Sequence, residues 1–393
     1  MNTRRILLGA AAGFSAGYAL YRACEAFGAR PDRNLRRDAR RYGEIRRGLA
    51  LAGIVRSLSE AAVLAYGPLG VALERSVQRA PVWAQPMAFA AGGAFLETIA
   101  GAGADYVEDY ALEKRFELSE QPVASWLADK LKGEAVGAGV AIALAGTFAA
   151  VVRRFPRTWP WIASAATLPL LVGANIVVPI YIMPLFNKYT PLEGPLEERL
   201  RALASRYGVG DADILRVNMS KQTKKANAFV TGIGRTHRIV LGDTLIEHFP
   251  QDEIEFIVAH ELGHYVSGDT WRMIAAGQIA STAVLFGSFA LLEDHSKERA
   301  QRAVTLAQIA WWSSLISQAF RPALSAFSRS REWAADHFAL QTTGVAAVGA
   351  AAFRRLRDQN LAEDEQPAWF EFLFASHPSL KARITHLERS RSY

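Results

Sequence analysis

The sequence predicts a mainly α-helical membrane protein in which seven transmembrane helices carry a small α+β domain. Half of the 393 residues are hydrophobic and only 21% are charged, which is unusual for a soluble chain of this length. The mean hydropathy of +0.05 averages over two populations, because long Ala/Gly/Leu/Val tracts alternate with strongly charged segments. Near residue 260 an apolar helical stretch also carries two histidines and a glutamate at the spacing that metal chemistry requires.

Composition sets further bounds. The single cysteine, Cys24, excludes an internal disulfide and any zinc cage built from thiolates. The net charge of +7 is concentrated in particular loops and reads as membrane topology, so membrane lipids are expected as partners and nucleic acid is not.

Taken in order, residues 6–21 are apolar behind Arg4 and Arg5. They read as a retained first span or a cleaved signal, and the spans that follow favour retention. From Arg22 to Arg47 there are nine arginines and no lysine, as expected of a basic cytoplasmic loop beside anionic lipid. Six more apolar stretches follow, at about 48–73, 82–104, 135–152, 159–184, 271–292 and 303–324. A helix needs about 20 residues to cross a hydrocarbon core about 30 Å thick, so most are long enough. Arg56 and Glu60 sit four apart in the second span and can pair on one face, and Glu97 interrupts the third. With the arginine loop inside, 105–133, 185–270 and everything after 325 are cytoplasmic and the amino terminus is outside. Arg153, Arg154 and Arg157 then lie outside against the charge rule, three charges against nine.

Four segments are expected: spans one to five over 1–184, a first part of the α+β domain over 185–270, spans six and seven over 271–324, and its remainder over 325–393. Within 185–250, Pro195 to Tyr207 reads as an amphipathic helix stopped by Gly208. Ile214–Val217, Ala226–Thr231 and Arg238–Leu241 read as short strands.

The chemistry is carried by His260-Glu261-Leu262-Gly263-His264. Residues four apart share a helical face, so His260 and His264 can present two imidazoles to one metal ion. Glu261 then stands beside the open coordination position, where a general base is needed. A catalytic zinc usually takes a third protein ligand. Glu332 is assigned to that role, and Asp336, one turn later, is expected to accept the other ring N–H of a ligand histidine. The expected hairpin formed by 271–292 and 303–324 returns both ligand helices to the same membrane face. His237, His248, His295, His337 and His386 are read as ordinary, His337 because it points off the Glu332 face.

At this point the residues resemble the Ste24-type CAAX prenyl proteases, integral-membrane zinc metalloproteases of the M48 class. The resemblance covers most of the chain from about 105 to 390. It rests on Leu112-Glu113-Lys114-Arg115-Phe116, on Ile182 to Leu192, on Asn227-Ala228-Phe229, on His260 to His264, on Ser328-Arg329 with Glu332 and Asp336, and on Ser376-His377-Pro378 with Arg383. The resemblance implies one zinc ion held by His260, His264 and Glu332, with Glu261 as general base and acid and Asp336 in support. It implies that Asn227 and Ala228 lie on an edge strand that pairs with an extended peptide, and that His377 and Arg383 stabilise the oxyanion. It also implies seven tilted spans around a water-filled chamber, with Arg56, Glu60 and Glu97 on its wall and a zincin-like domain closing its cytoplasmic end. The expected activity is peptide-bond hydrolysis near the prenylated C-terminus of a substrate. A quality-control protease that clips misfolded membrane proteins is the alternative, and an inactive membrane scaffold is the reading from another class.

Overall fold

Asn34 opens the first helix by accepting a hydrogen bond from the Arg37 amide at 3.2 Å, and α1 runs from Leu35–Tyr66. The structure, a computed structural model, describes residues 34–390. The expected span at 6–21 lies outside the described residues. The basic stretch expected as a loop is helical from Leu35 onward. Packing is the reason: Tyr42, Ile45 and Leu49 recur on one face and bury against Leu112, Phe116 and Leu361, while Arg36, Arg37 and Arg40 stay exposed. The apolar run 48–73 is also not one rod. Gly67 leaves the helical region just before Pro68, and α2 (Pro68–Val77) starts anew.

The helices α3 (Gln85–Arg115), α4 (Val123–Arg154) and α5 (Trp159–Leu185) follow. The turns of α3 widen over Tyr106–Ala111. Arg56 meets Glu60 and Asp105 at 3.7 Å, and Lys130 meets Asp105 at 2.8 Å and Glu134 at 3.2 Å, so the ionisable groups of α1, α3 and α4 face one another. Glu97 is exposed.

The chain next builds a small sheet from β1 (Tyr189–Pro191), α6 (Pro195–Ser205), β2 (Asp213–Val217), β3 (Ala228–Thr231) and β4 (Arg238–Gly242). Gly208 takes φ +76 just past α6, as a glycine stop should. The strand order is β1-β2-β4-β3. β2 and β4 are parallel, and both outer pairings are antiparallel. β1 has no period-two signal in three residues, which is why the sequence does not show it. β3 is an edge.

Eight helices complete the domain and the membrane part: α7 (Asp243–His248), α8 (Gln251–Val266), α9 (Asp269–Ala290), α10 (Lys297–Gln301), α11 (Val304–Thr343), α12 (Ala346–Gln359), α13 (Ala368–Phe374) and α14 (Leu380–Arg389). Among the described residues five helices, α1, α3, α4, α5 and α9, are long and apolar enough to cross a membrane. The stretch 303–324 belongs to α11, which is not among the five. α11 has 40 residues, roughly 60 Å at 1.5 Å per residue, and carries that stretch, Pro322 and Glu332 on one helix.

The domain core gathers Leu200, Leu203, Ile239, Leu241, Phe256, Leu262 and Phe353. α8 crosses α11 at Gly263, where an added Cβ would stand 3.1 Å from the Ala335 Cα. A side chain there would push against backbone, so the glycine inside the histidine motif sets the separation between the two helices that carry the site. Gly263→Val is therefore expected to destabilise the domain by about 1–3 kcal/mol through overpacking and to lower its metal content. Thermal melting and metal analysis of the detergent-solubilised protein check this.

Candidate active site

α8 is apolar on every side that meets the core. Phe256, Val258, Ala259 and Leu262 are fully buried, which fixes its rotation and turns His260 and His264 toward α11. From α11, Glu332 places Oε2 3.4 Å from His260 Nε2 and Oε1 3.4 Å from His264 Nε2. The three side chains can each offer one ligand atom, all within 4.8 Å of one another.

The other face of each imidazole is already engaged. His260 Nδ1 lies 2.9 Å from Asp336 Oδ1, and Asp336 is fully buried. His264 Nδ1 lies 2.9 Å from Asp269 Oδ2. Nδ1–H donation to a carboxylate leaves each Nε2 lone pair free to bind a cation. Glu332 Oε2 is buried with no hydrogen-bond partner, a costly state that a cation relieves. The cluster is also rich in carboxylate: Glu261, Asp269, Glu332 and Asp336 converge, and Arg331 and Arg383 pair with them. These features fit a divalent cation with two nitrogen donors and one oxygen donor.

The proton affinities tell the same story. Burial alone lowers His260, but the neighbouring carboxylates of Asp336 and Glu332 outweigh this and lift it to about 9. Burial pushes Glu332 up, yet the two histidines hold it far below the usual carboxylate range. Glu261 has its pKa raised by burial, partly countered by the neighbouring histidines.

Arg383 is buried and donates to both Asp336 oxygens, from Nε at 2.8 Å and Nη2 at 2.5 Å. Its Nη1 lies 3.4 Å from Glu332 Oε2, and its guanidinium stands over the Phe353 ring at 4.1 Å. His377 is largely exposed to the cleft, with Nε2 3.3 Å from Glu332 Oε1. Arg329 holds its loop by donating to the Glu371 and Ala375 carbonyls at 2.7 and 2.8 Å. Asn227 and Ala228 lie at the start of β3 and, with Glu261 and His377, line one cavity of about 860 Å³.

Two family descriptions cover nearly all of the described chain. "Peptidase family M48" matches residues 192–391, and "CAAX prenyl protease N-terminal, five membrane helices" matches residues 39–188. The chain belongs to peptidase family M48. It is a multi-pass membrane metalloprotease. It is 28% identical over 293 residues to an uncharacterized metalloprotease, YhfN, of Bacillus subtilis, covering 72% of this chain and 68% of that one. It is 26% identical over 329 residues to CAAX prenyl protease 1 of Saccharomyces cerevisiae, covering 78% and 72%. The crystal structure of S. mikatae Ste24p superposes with a TM-score of 0.82 over 96% of each chain at 22% identity, a likeness of fold.

Several residues of this M48 peptidase were not legible beforehand. Asp269 follows Gly268, which takes φ +67 between α8 and α9. That left-handed turn bends the chain back so that Asp269 reaches His264 from outside the helical repeat. Arg331 donates to Asp269 Oδ1 at 2.6 Å. Glu113, quoted only as part of a motif, is buried with Tyr42 and takes Lys225 Nζ at 2.8 Å and Arg46 Nη1 at 3.2 Å. It thereby ties α1 and the end of α3 to the chain just before β3. The ordinary histidines stay away from the cluster: His248 bonds the Thr244 carbonyl, His295 stacks on Phe289, and His337 is exposed. Asp269→Ala is expected to weaken metal affinity about 10–100-fold, since the ring loses its orienting acceptor. Competition against a calibrated chelator measures this.

Proposed function

We propose that this protein is a zinc endopeptidase that cleaves an extended peptide held along β3, near the C-terminus of a prenylated, CAAX-type substrate. The observation that carries the reading is the convergence of His260, His264 and Glu332, with both Nδ1 atoms engaged and Glu332 Oε2 left without a hydrogen bond. Two imidazoles and one carboxylate suit one catalytic Zn2+, which supplies Lewis acidity toward a peptide carbonyl and a water molecule.

The chain's own residues do the rest. Glu261 sits one position after His260 and is half-buried on the cavity wall. Its raised pKa suits it to take the proton of the attacking water and return it to the leaving amine. His377 faces the cleft and donates to the developing oxyanion, and Arg383 adds positive charge from behind Glu332. Asp336 holds the His260 ring in place. The peptide adds as a strand at the open edge beside Asn227 and Ala228. Phe370 and Phe374 give the same cavity an apolar side that suits an isoprenoid chain. The yeast relative, a CAAX prenyl protease 1, supports that substrate class.

The reading also includes the topology. Seven spans enclose a chamber wall at Arg56, Glu60 and Glu97, and the catalytic segments 185–270 and 325–393 lie on the cytoplasmic side. The arginine-rich start of α1 supports this, because Arg47 pairs with Glu363 and so lies at the same end as the domain.

Glu261→Gln is expected to retain full metal content and to lose turnover by roughly 10²–10⁴-fold. Chelation should abolish cleavage and Zn2+ should restore it. In a kcat/KM comparison on purified protein, a farnesylated peptide should outrun its unlipidated twin. Equal rates on both, with cleavage of unlipidated membrane proteins, would move the assignment to quality control.

A further inference from the structure

β3 has a built-in end on its open side. The Asn227 carbonyl accepts from Gly242 N at 2.9 Å, and the register continues as Ala228 opposite Leu241, Phe229 opposite Val240 and Val230 opposite Ile239. In an antiparallel pair, residues alternate between bonding the partner strand and facing away from it. Phe229 and Thr231 therefore spend their amides on β4, as Asn227 spends its carbonyl, and Ala226, Ala228 and Val230 turn theirs outward. At Ala226 the outward side is taken. Ala226 N donates to Asn360 Oδ1 at 2.7 Å, and Asn360 Nδ2 donates to the Ala226 carbonyl at 3.1 Å. One side-chain amide thus stands where the peptide group of an added strand would stand.

The surrounding chain fixes it there. Asn360 ends α12, and the buried Leu361 that follows takes φ +50, a left-handed conformation that a branched residue rarely adopts. Gln359 Nε2 donates to the Lys224 carbonyl at 2.9 Å, and Thr244 Oγ1 donates to the Lys225 carbonyl at 2.8 Å. The two residues before Ala226 are held as firmly as Ala226 itself.

We propose that Asn360 is a register stop for the substrate. It ends the edge at Ala226 and leaves two rungs, Ala228 and Val230, on which an extended peptide pairs. This positioning residue thereby decides which peptide bond reaches Glu261, and the peptide must turn away at Asn360 into the cavity beside Tyr42, Arg47 and Phe370. The inference rests on strand addition at β3, proposed above.

The test is an N-methyl scan of a peptide that the wild-type protein cleaves at one bond. Methylating a backbone amide removes its donor. Two amides, at alternate residues, should each cost roughly tenfold in kcat/KM, and the next in phase, facing Ala226, should cost nothing. No loss at any alternate pair would overturn strand addition itself. A third loss in phase would overturn the stop alone, since Ala226 would then be bonding the peptide. Asn360→Ala frees the Ala226 amide, so mass spectrometry of its products should reveal a second cleavage displaced by two residues. A slower variant that still yields only the wild-type product would mark Asn360 as structural and sink the proposal.

Discussion

The whole site depends on burying several carboxylates and imidazoles together without leaving charge unbalanced. Desolvated ions cost several kcal/mol each unless they are paired and hydrogen-bonded. Here Asp336 is divided between His260 and Arg383, Asp269 between His264 and Arg331, and Glu332 faces both Nε2 atoms. The remaining demand for positive charge falls on the point between those two nitrogens and Glu332. Asp269 and Asp336 are thus satisfied by their partners, while Glu332 Oε2 is left without a hydrogen bond beside the two imidazoles.

Such a cluster needs a rigid frame, and the frame is apolar. α8 is clamped by Phe256, Leu262 and Phe353, and α11 approaches it at Gly263. α11 belongs to both halves of the molecule, because one helix carries the apolar stretch from residue 304 and the turn at Glu332. α1 reaches the domain by a different route, through Tyr42, Arg46 and Glu113 to Lys225, and through Arg47 to Glu363. The helical part is thereby bonded to the chain just before β3 and to the loop after α12, the two segments that border the cavity.

Legibility followed periodicity. The His260–His264 helix, the apolar spans and the strands at Ile214 and Arg238 repeat every 3.6 or two residues, so the sequence displays them. Where the local pattern competed with packing it misled. The arginines before residue 47 suggested a loop, yet Tyr42, Ile45 and Leu49 make that stretch a helix with a buried face. The run 48–73 concealed the break that Gly67 and Pro68 impose. Asp269 and Asn360 carry no periodic signal at all, because each acts across a turn on a partner set by the fold.

The sequence by itself determined the spacing of His260 and His264, the helix that holds both imidazoles, and the apolar lengths that call for a membrane, since these are properties of composition and short-range spacing. Only the tertiary structure decided which carboxylate stands behind each imidazole, how closely α11 meets α8, and where the open edge of β3 stops. Those depend on contacts between residues far apart in the chain, and on distances of a few ångströms that no local pattern encodes.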